Sequence, residues 1–176
     1  MRPTEEQHPK YYNYYIQLIS QENVLSALVE NKKTSLDFIK SIPTKLEDYA
    51  YENGKWTIKQ LLLHCIDTER IISTRALTFA RGELQKPLSF DENLYANNSH
   101  ANLRSINDIA DEFEAVRNAS TVLFKSFSNE ILCSLGNTPS GLATINSIGF
   151  FICGHTQHHL NIIKERYLKN NSSIKN

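Results

Sequence analysis

Thr144-Ile145-Asn146-Ser147-Ile148-Gly149-Phe150-Phe151-Ile152-Cys153-Gly154-His155-Thr156-Gln157-His158-His159 is the stretch whose reading decides the fold. At roughly 100° per residue, Ile145, Ile148, Phe151 and Ile152 share one helical face, which Ile162 and Ile163 continue. His155 and His159 fall on that same face, one turn apart. His158 projects to the side as a surface or rim residue. Thr144 is placed to cap the helix, and the Gly136 to Gly141 segment before it is dense turn chemistry. The helix is expected to reach about Lys169, with residues 171–176 a frayed polar tail on a single domain spanning 1–170.

Working outward, three more helices are predicted. The first runs from about Gln21 to Ser41, with Val24, Leu25, Leu28, Leu36 and Ile39 as its apolar stripe, and Pro43 stops it. The second begins at Thr57, because Thr57 and Gln60 have the spacing of a capping box, and continues through Arg81 to Gly82. Residues 83–105 carry only short apolar islands among Pro and Asn residues and read as a long crossover loop, of the kind that often has a function. The third helix starts near Ser105 and Asp108, carries Ile109, Phe113, Val116, Val122, Leu123 and Phe127, and ends near Ser128. A short turn or helix follows at Glu130 to Leu135. Ahead of all four, Tyr11, Tyr12, Tyr14 and Tyr15 suit an N-terminal arm packed over the bundle or facing a partner. No run alternates with a period of two, so the expected fold class is all-α, a four-helix bundle.

Two imidazoles inside a bundle need an explanation, since each brings ring nitrogens that require partners and neither charges easily there. A metal ion meets that need, and His-x-x-x-His on one helix offers two nitrogens to one cation. Two hydrogen-bonded core histidines fit the spacing equally well. His64 supplies a third imidazole, lying beside the apolar face formed by Ile58, Leu61, Cys65, Ile72, Ala76 and Phe79 on the second helix. Alone it reads as a satisfied core histidine. In combination, one histidine on one helix and two on another is how bundle interiors build metal sites, and three protein ligands leave a position open.

Other residues are weaker candidates. Asp67, one turn after His64, orients a ligand or pairs with an arginine. Arg75 on the same side can hold a carboxylate with its fork of donors or form an ordinary ion pair. Asp91 and Glu92 in the crossover are candidates for lining a substrate cleft. No residue stands out as general acid or base.

The 176 residues suit one domain with a real core, and 19 Lys and Arg balance 19 Asp and Glu. That balance and the lack of a recognition helix argue against nucleic acid, and no apolar run is long enough for a membrane. The opening residues lack the apolar core of a signal peptide, so a cytoplasmic location is expected. Cys65, Cys133 and Cys153 have no Cys-x-x-Cys pair and read as reduced thiols, mostly core fillers.

The sequence resembles the DinB/YfiT-like superfamily through Gly54-Lys55-Trp56, His64-Cys65-Ile66-Asp67 and Gly154-His155-Thr156-Gln157-His158-His159. The similarity extends over Asp67 to Arg70, Phe79 to Gly82, Phe90 to Asn93 and Asn161 to Leu168, and so over most of the chain from about Gln21. What the resemblance implies is a four-helix bundle, often a homodimer, with one divalent ion, zinc or nickel, on His64, His155 and His159. Relatives include bacillithiol and mycothiol S-transferases, a maleylpyruvate isomerase and proteins described as metal-dependent hydrolases. The implied function is a small-molecule enzyme, a low-molecular-weight thiol transferase or a hydrolase; the alternative is a non-enzymatic stress or interaction protein whose metal is structural. One departure is Thr156-Gln157, where relatives often carry an acidic residue, which puts a general base at that position in question.

Overall fold

The computed structural model describes residues 1–83 and 85–169. Four long helices form the bundle: α2 (Val24–Lys40), α3 (Ile58–Ala80), α5 (Ile106–Lys125) and α7 (Ile145–Ile162). Shorter ones are α1 (Lys10–Gln17), α4 (Glu92–Asn98) and α6 (Asn129–Cys133). The ends follow from local chemistry. Thr57 and Gln60 make the expected capping box, with Gln60 N donating to Thr57 Oγ1 at 3.2 Å and Thr57 N to Gln60 Oε1 at 2.9 Å. Thr144 caps α7 as the sequence predicts, and α5 starts where expected, with Ser105 as its cap. Gly82 follows α3 at φ +83°, where a side chain would strain the backbone.

Several expectations are corrected. The first bundle helix begins at Val24 and not near Gln21, because the Asn23 side chain accepts from Ser26 N and fixes the start there. The crossover is not plain loop: Asp91 Oδ1 accepts from Asn93 N and Leu94 N and starts α4, which packs on α3. With Ala96 its sole buried residue, α4 leaves almost no periodic signal in the sequence. The third helix ends at Lys125, and Ser128 instead caps α6.

A small antiparallel hairpin joins β1 (Leu135–Thr138) to β2 (Gly141–Thr144), pairing Leu135 with Thr144 and Thr138 with Gly141. The sequence reading expected no strand. Four residues a side are too few for alternation to register against the turn residues around them. The last helix continues beyond Ile162 as π-helical turns over Ile163–Leu168. The expected tail at 171–176 lies outside the described residues.

The N-terminal arm is a helix. Tyr12 and Ile16 of α1 are buried against α7, and the Tyr12 ring stacks on Phe151 at 4.1 Å. Gly154 permits this approach, since a Cβ there would lie 2.1 Å from the Tyr15 carbonyl oxygen. Tyr11 and Tyr14 remain exposed. Two apolar clusters fill the bundle, one around Leu28, Phe124, Ile148 and Phe150, the other around Ile58, Ile66, Phe113 and Ile163.

A charged network ties the four long helices together. Arg117 on α5 is 0% exposed and Glu69 on α3 is 2% exposed. Arg117 Nε donates to Glu69 Oε1 at 2.8 Å, Nη2 to Glu69 Oε2 at 2.9 Å and to Thr156 Oγ1 of α7 at 3.2 Å, and Nη1 to Asn31 Oδ1 of α2 at 2.7 Å. A buried ion pair of this kind adds little net stability relative to apolar packing, but leaving either charge alone is costly. It fixes how α3 and α7 sit against each other, with Thr156 next to His155.

Candidate metal centre

His64 projects from α3 and His155 and His159 from α7, and the three imidazoles meet between those helices. His64 Nε2 lies 3.2 Å from His155 Nε2, and His159 Nε2 lies 3.1 Å from the same atom. Among the described residues these three form the cluster able to hold a metal, with their ligand nitrogens all within 4.8 Å of one another. Tetrahedral bonds of about 2.05 Å would hold paired nitrogens about 3.4 Å apart. The two distances to His155 are close to that value.

The donor chemistry fits a cation. A neutral imidazole has one N–H and one bare nitrogen, so His155 Nε2 cannot make a good hydrogen bond to both neighbours at once. A positive ion at the centre would satisfy all three nitrogens together. Burial favours the neutral, ligating form: desolvation lowers His64 to about 4 and His159 to about 2, and holds His155 well below its ordinary value with the neighbouring histidines adding to the effect. His159 Nδ1 is buried without a hydrogen-bond partner among the described residues, so no carboxylate orients that ring. Aromatic walls do part of that work: Trp56 packs 4.9 Å from His64, and Phe151 5.7 Å from His155.

Two separate cavities reach the centre. His155 lines one of about 180 Å³ together with Tyr12, Thr68, Arg75, Glu92 and Phe151. His159 lines the other, about 260 Å³, with Trp56, Asn93, Arg166 and Tyr167. A metal held by the three histidines therefore has space on two sides for non-protein ligands.

The weaker sequence candidates separate cleanly. Arg75 and Glu92 line the His155 cavity. Burial raises the Glu92 carboxyl above its ordinary value, and neighbouring Asp91 adds to this. Asp91 is not among the residues lining either cavity; its carboxylate caps α4. Asp67 lies 3.7 Å from Arg70 Nη1 at the surface and takes the ion-pairing role. Its carboxyl is raised by partial burial, against the pull of Arg70. His158 sits at the rim, its Nδ1 3.2 Å from the Tyr14 hydroxyl. Cys65 and Cys153 are buried free thiols, pushed up by desolvation, and Cys133 is exposed. No described helix is long and apolar enough to cross a membrane.

The sequence reading missed Thr68 and the Glu69–Arg117 pair, and it placed Tyr12 in the arm without assigning it to the site. A signal for the pair existed: Phe113, Arg117, Ser120 and Phe124 follow one another at three- and four-residue steps, which places a charge on the apolar stripe of α5.

Fold and site together define a helical-bundle protein with a three-histidine centre between facing helices. The profile of the DinB superfamily matches residues 27–163, and the chain belongs to that superfamily. Among solved structures the chain is similar to YfiT from Bacillus subtilis, described as "a probable metal-dependent hydrolase with an unusual four-helix bundle topology". The TM-score is 0.71 at 15% identity, over 97% of this chain and 94% of that one, a likeness of fold. No curated protein sequence matches the chain.

Proposed function

We infer that this chain is a metal-dependent enzyme acting on a small molecule, with one zinc or nickel ion on His64, His155 and His159. The observation that carries the reading is the convergence of three imidazole nitrogens at a point reached by two cavities. The description of YfiT as a probable metal-dependent hydrolase supports it. When bound, the ion would supply Lewis acidity, polarising a substrate oxygen or lowering the pKa of a coordinated acid toward neutrality. The chain itself does the rest. Trp56 and Phe151 hold the imidazoles in place, and Glu92, raised by burial in the His155 cavity, is the group we assign to taking up or releasing a proton.

Hydrolysis is the first reaction class. Transfer of a low-molecular-weight thiol is the second, favoured by the two separate cavities, which allow a thiol and an electrophile to reach the same centre from different sides. Zinc- or nickel-loaded protein assayed against a panel of esters and amides, and against monochlorobimane with bacillithiol or glutathione, should show turnover that a chelator abolishes and added metal restores. Silence toward every substrate, with a steep fall in Tm on chelation, would make the ion structural and refute the enzymatic reading.

A further inference from the structure

Arg75 is 8% exposed, yet no carboxylate lies within 4.0 Å of it among the described residues. The other arginines of α3 and α5 differ: Arg117 has Glu69, and Arg70 has Glu112. One Arg75 donor is used, Nη2 to the Leu88 carbonyl at 2.7 Å. A guanidinium has five N–H donors and stays charged in proteins, so a buried cation is left without a counter-charge, a costly arrangement unless something supplies one. A second group in the same cavity is also incomplete. Thr68 Oγ1 is buried and has no hydrogen-bond partner among the described residues.

Thr68 and Arg75 are seven residues apart on α3, two turns along one face and about 10 Å of rise. Helical side chains lean toward the helix N-terminus, which brings the long Arg75 side chain into the cavity that Thr68 and His155 also line. A single water needs about 15 Å³ of such space, so about 180 Å³ takes a small organic molecule.

We propose that Arg75 and Thr68 form a carboxylate subsite, so that the molecule processed at the three histidines carries a carboxylate remote from its reacting group. The planar fork of Arg75 receives both oxygens and the Thr68 hydroxyl donates to one of them. The placement of the reacting group rests on the metal-centre reading above; the subsite itself does not.

The test therefore uses metal-stripped full-length protein, with 4-fluorobenzoate and 4-fluorobenzamide as probes followed by fluorine NMR. The acid should bind about tenfold or more tightly than the amide, the scale of a hydrogen-bonded charge. Arg75→Gln should remove that preference, Arg75→Lys should retain part of it, and Thr68→Val should weaken the acid alone. Should Arg75→Gln fold poorly, the arginine side-chain nitrogen spectrum of the unaltered protein gives the same answer, because the acid and not the amide should move the Arg75 signal. Equal binding of acid and amide, failure of the acid to bind, or unchanged affinity in Arg75→Gln would overturn the proposal. A failure of the histidines to hold metal would leave these results standing.

Discussion

Replacing Glu69 by alanine removes the carboxylate that takes three hydrogen bonds from Arg117, at 2.8, 3.0 and 2.9 Å. Asn31 and Thr156 remain as neutral acceptors. They cannot balance a charge that is 0% exposed and has no route to water. Breaking a buried pair in this way costs about 3–5 kcal/mol, and at about 2–4 °C per kcal/mol for a chain of this size the Tm should fall by roughly 6–20 °C. Urea denaturation followed by far-UV circular dichroism measures the loss directly. The double variant Glu69→Leu, Arg117→Met is the control, since apolar replacement of both partners is often neutral or stabilising; it should recover most of what either single change loses. A Glu69→Ala loss below about 1 kcal/mol, the scale of an exposed pair, would refute the claim that the network is dry and binds the helices together.

Other perturbations address the arm and the histidines. Gly154→Ala puts a methyl 2.1 Å from the Tyr15 carbonyl, so α1 should lift from α7 at a cost of about 1–3 kcal/mol, read as faster proteolytic clipping between α1 and α2. In the metal-free protein, His64 and His159 titrate below the ordinary histidine value. The unfolded chain therefore takes up more protons between about pH 4 and 6.5, and stability should fall as the pH drops through that window, by up to about 1.4 kcal/mol per unit for each histidine. Denaturation midpoints at pH 5 and 7.5 check this, and a chelated protein equally stable at both would contradict it. Trp56 is the chain's one tryptophan and packs 4.9 Å from His64. Zinc titration should change its emission to a one-to-one endpoint, and His64→Ala should abolish the change.

The bundle was legible because its helices announce themselves twice, in apolar faces and in caps: Thr57 with Gln60 and Thr144 act at their expected positions, and α5 starts near Ser105 as expected. The convergence of His64 with His155 and His159 was legible because two of them share a face with Ile148 and Ile152, leaving the interior as their destination. What escaped was short or cooperative. The hairpin and α4 are too brief for a period to emerge. Glu69 and Arg117 each resemble a surface charge, and only their meeting across α3 and α5 makes them a core pair. Asp91 looked like a cleft residue because an acidic group in a long connection suits a site, whereas its backbone setting makes it a helix cap. Arg75 showed the reverse: its type and position on α3 were visible, but the missing carboxylate partner becomes apparent only in three dimensions.

Metal content of the purified protein, set beside single alanine variants of His64, His155 and His159, tests the central claim most directly. One zinc or nickel per chain should survive extensive dialysis in the unaltered protein, and each variant should lose most of it while still folding. Full stoichiometry retained in the His155→Ala protein would show that these imidazoles do not share an ion.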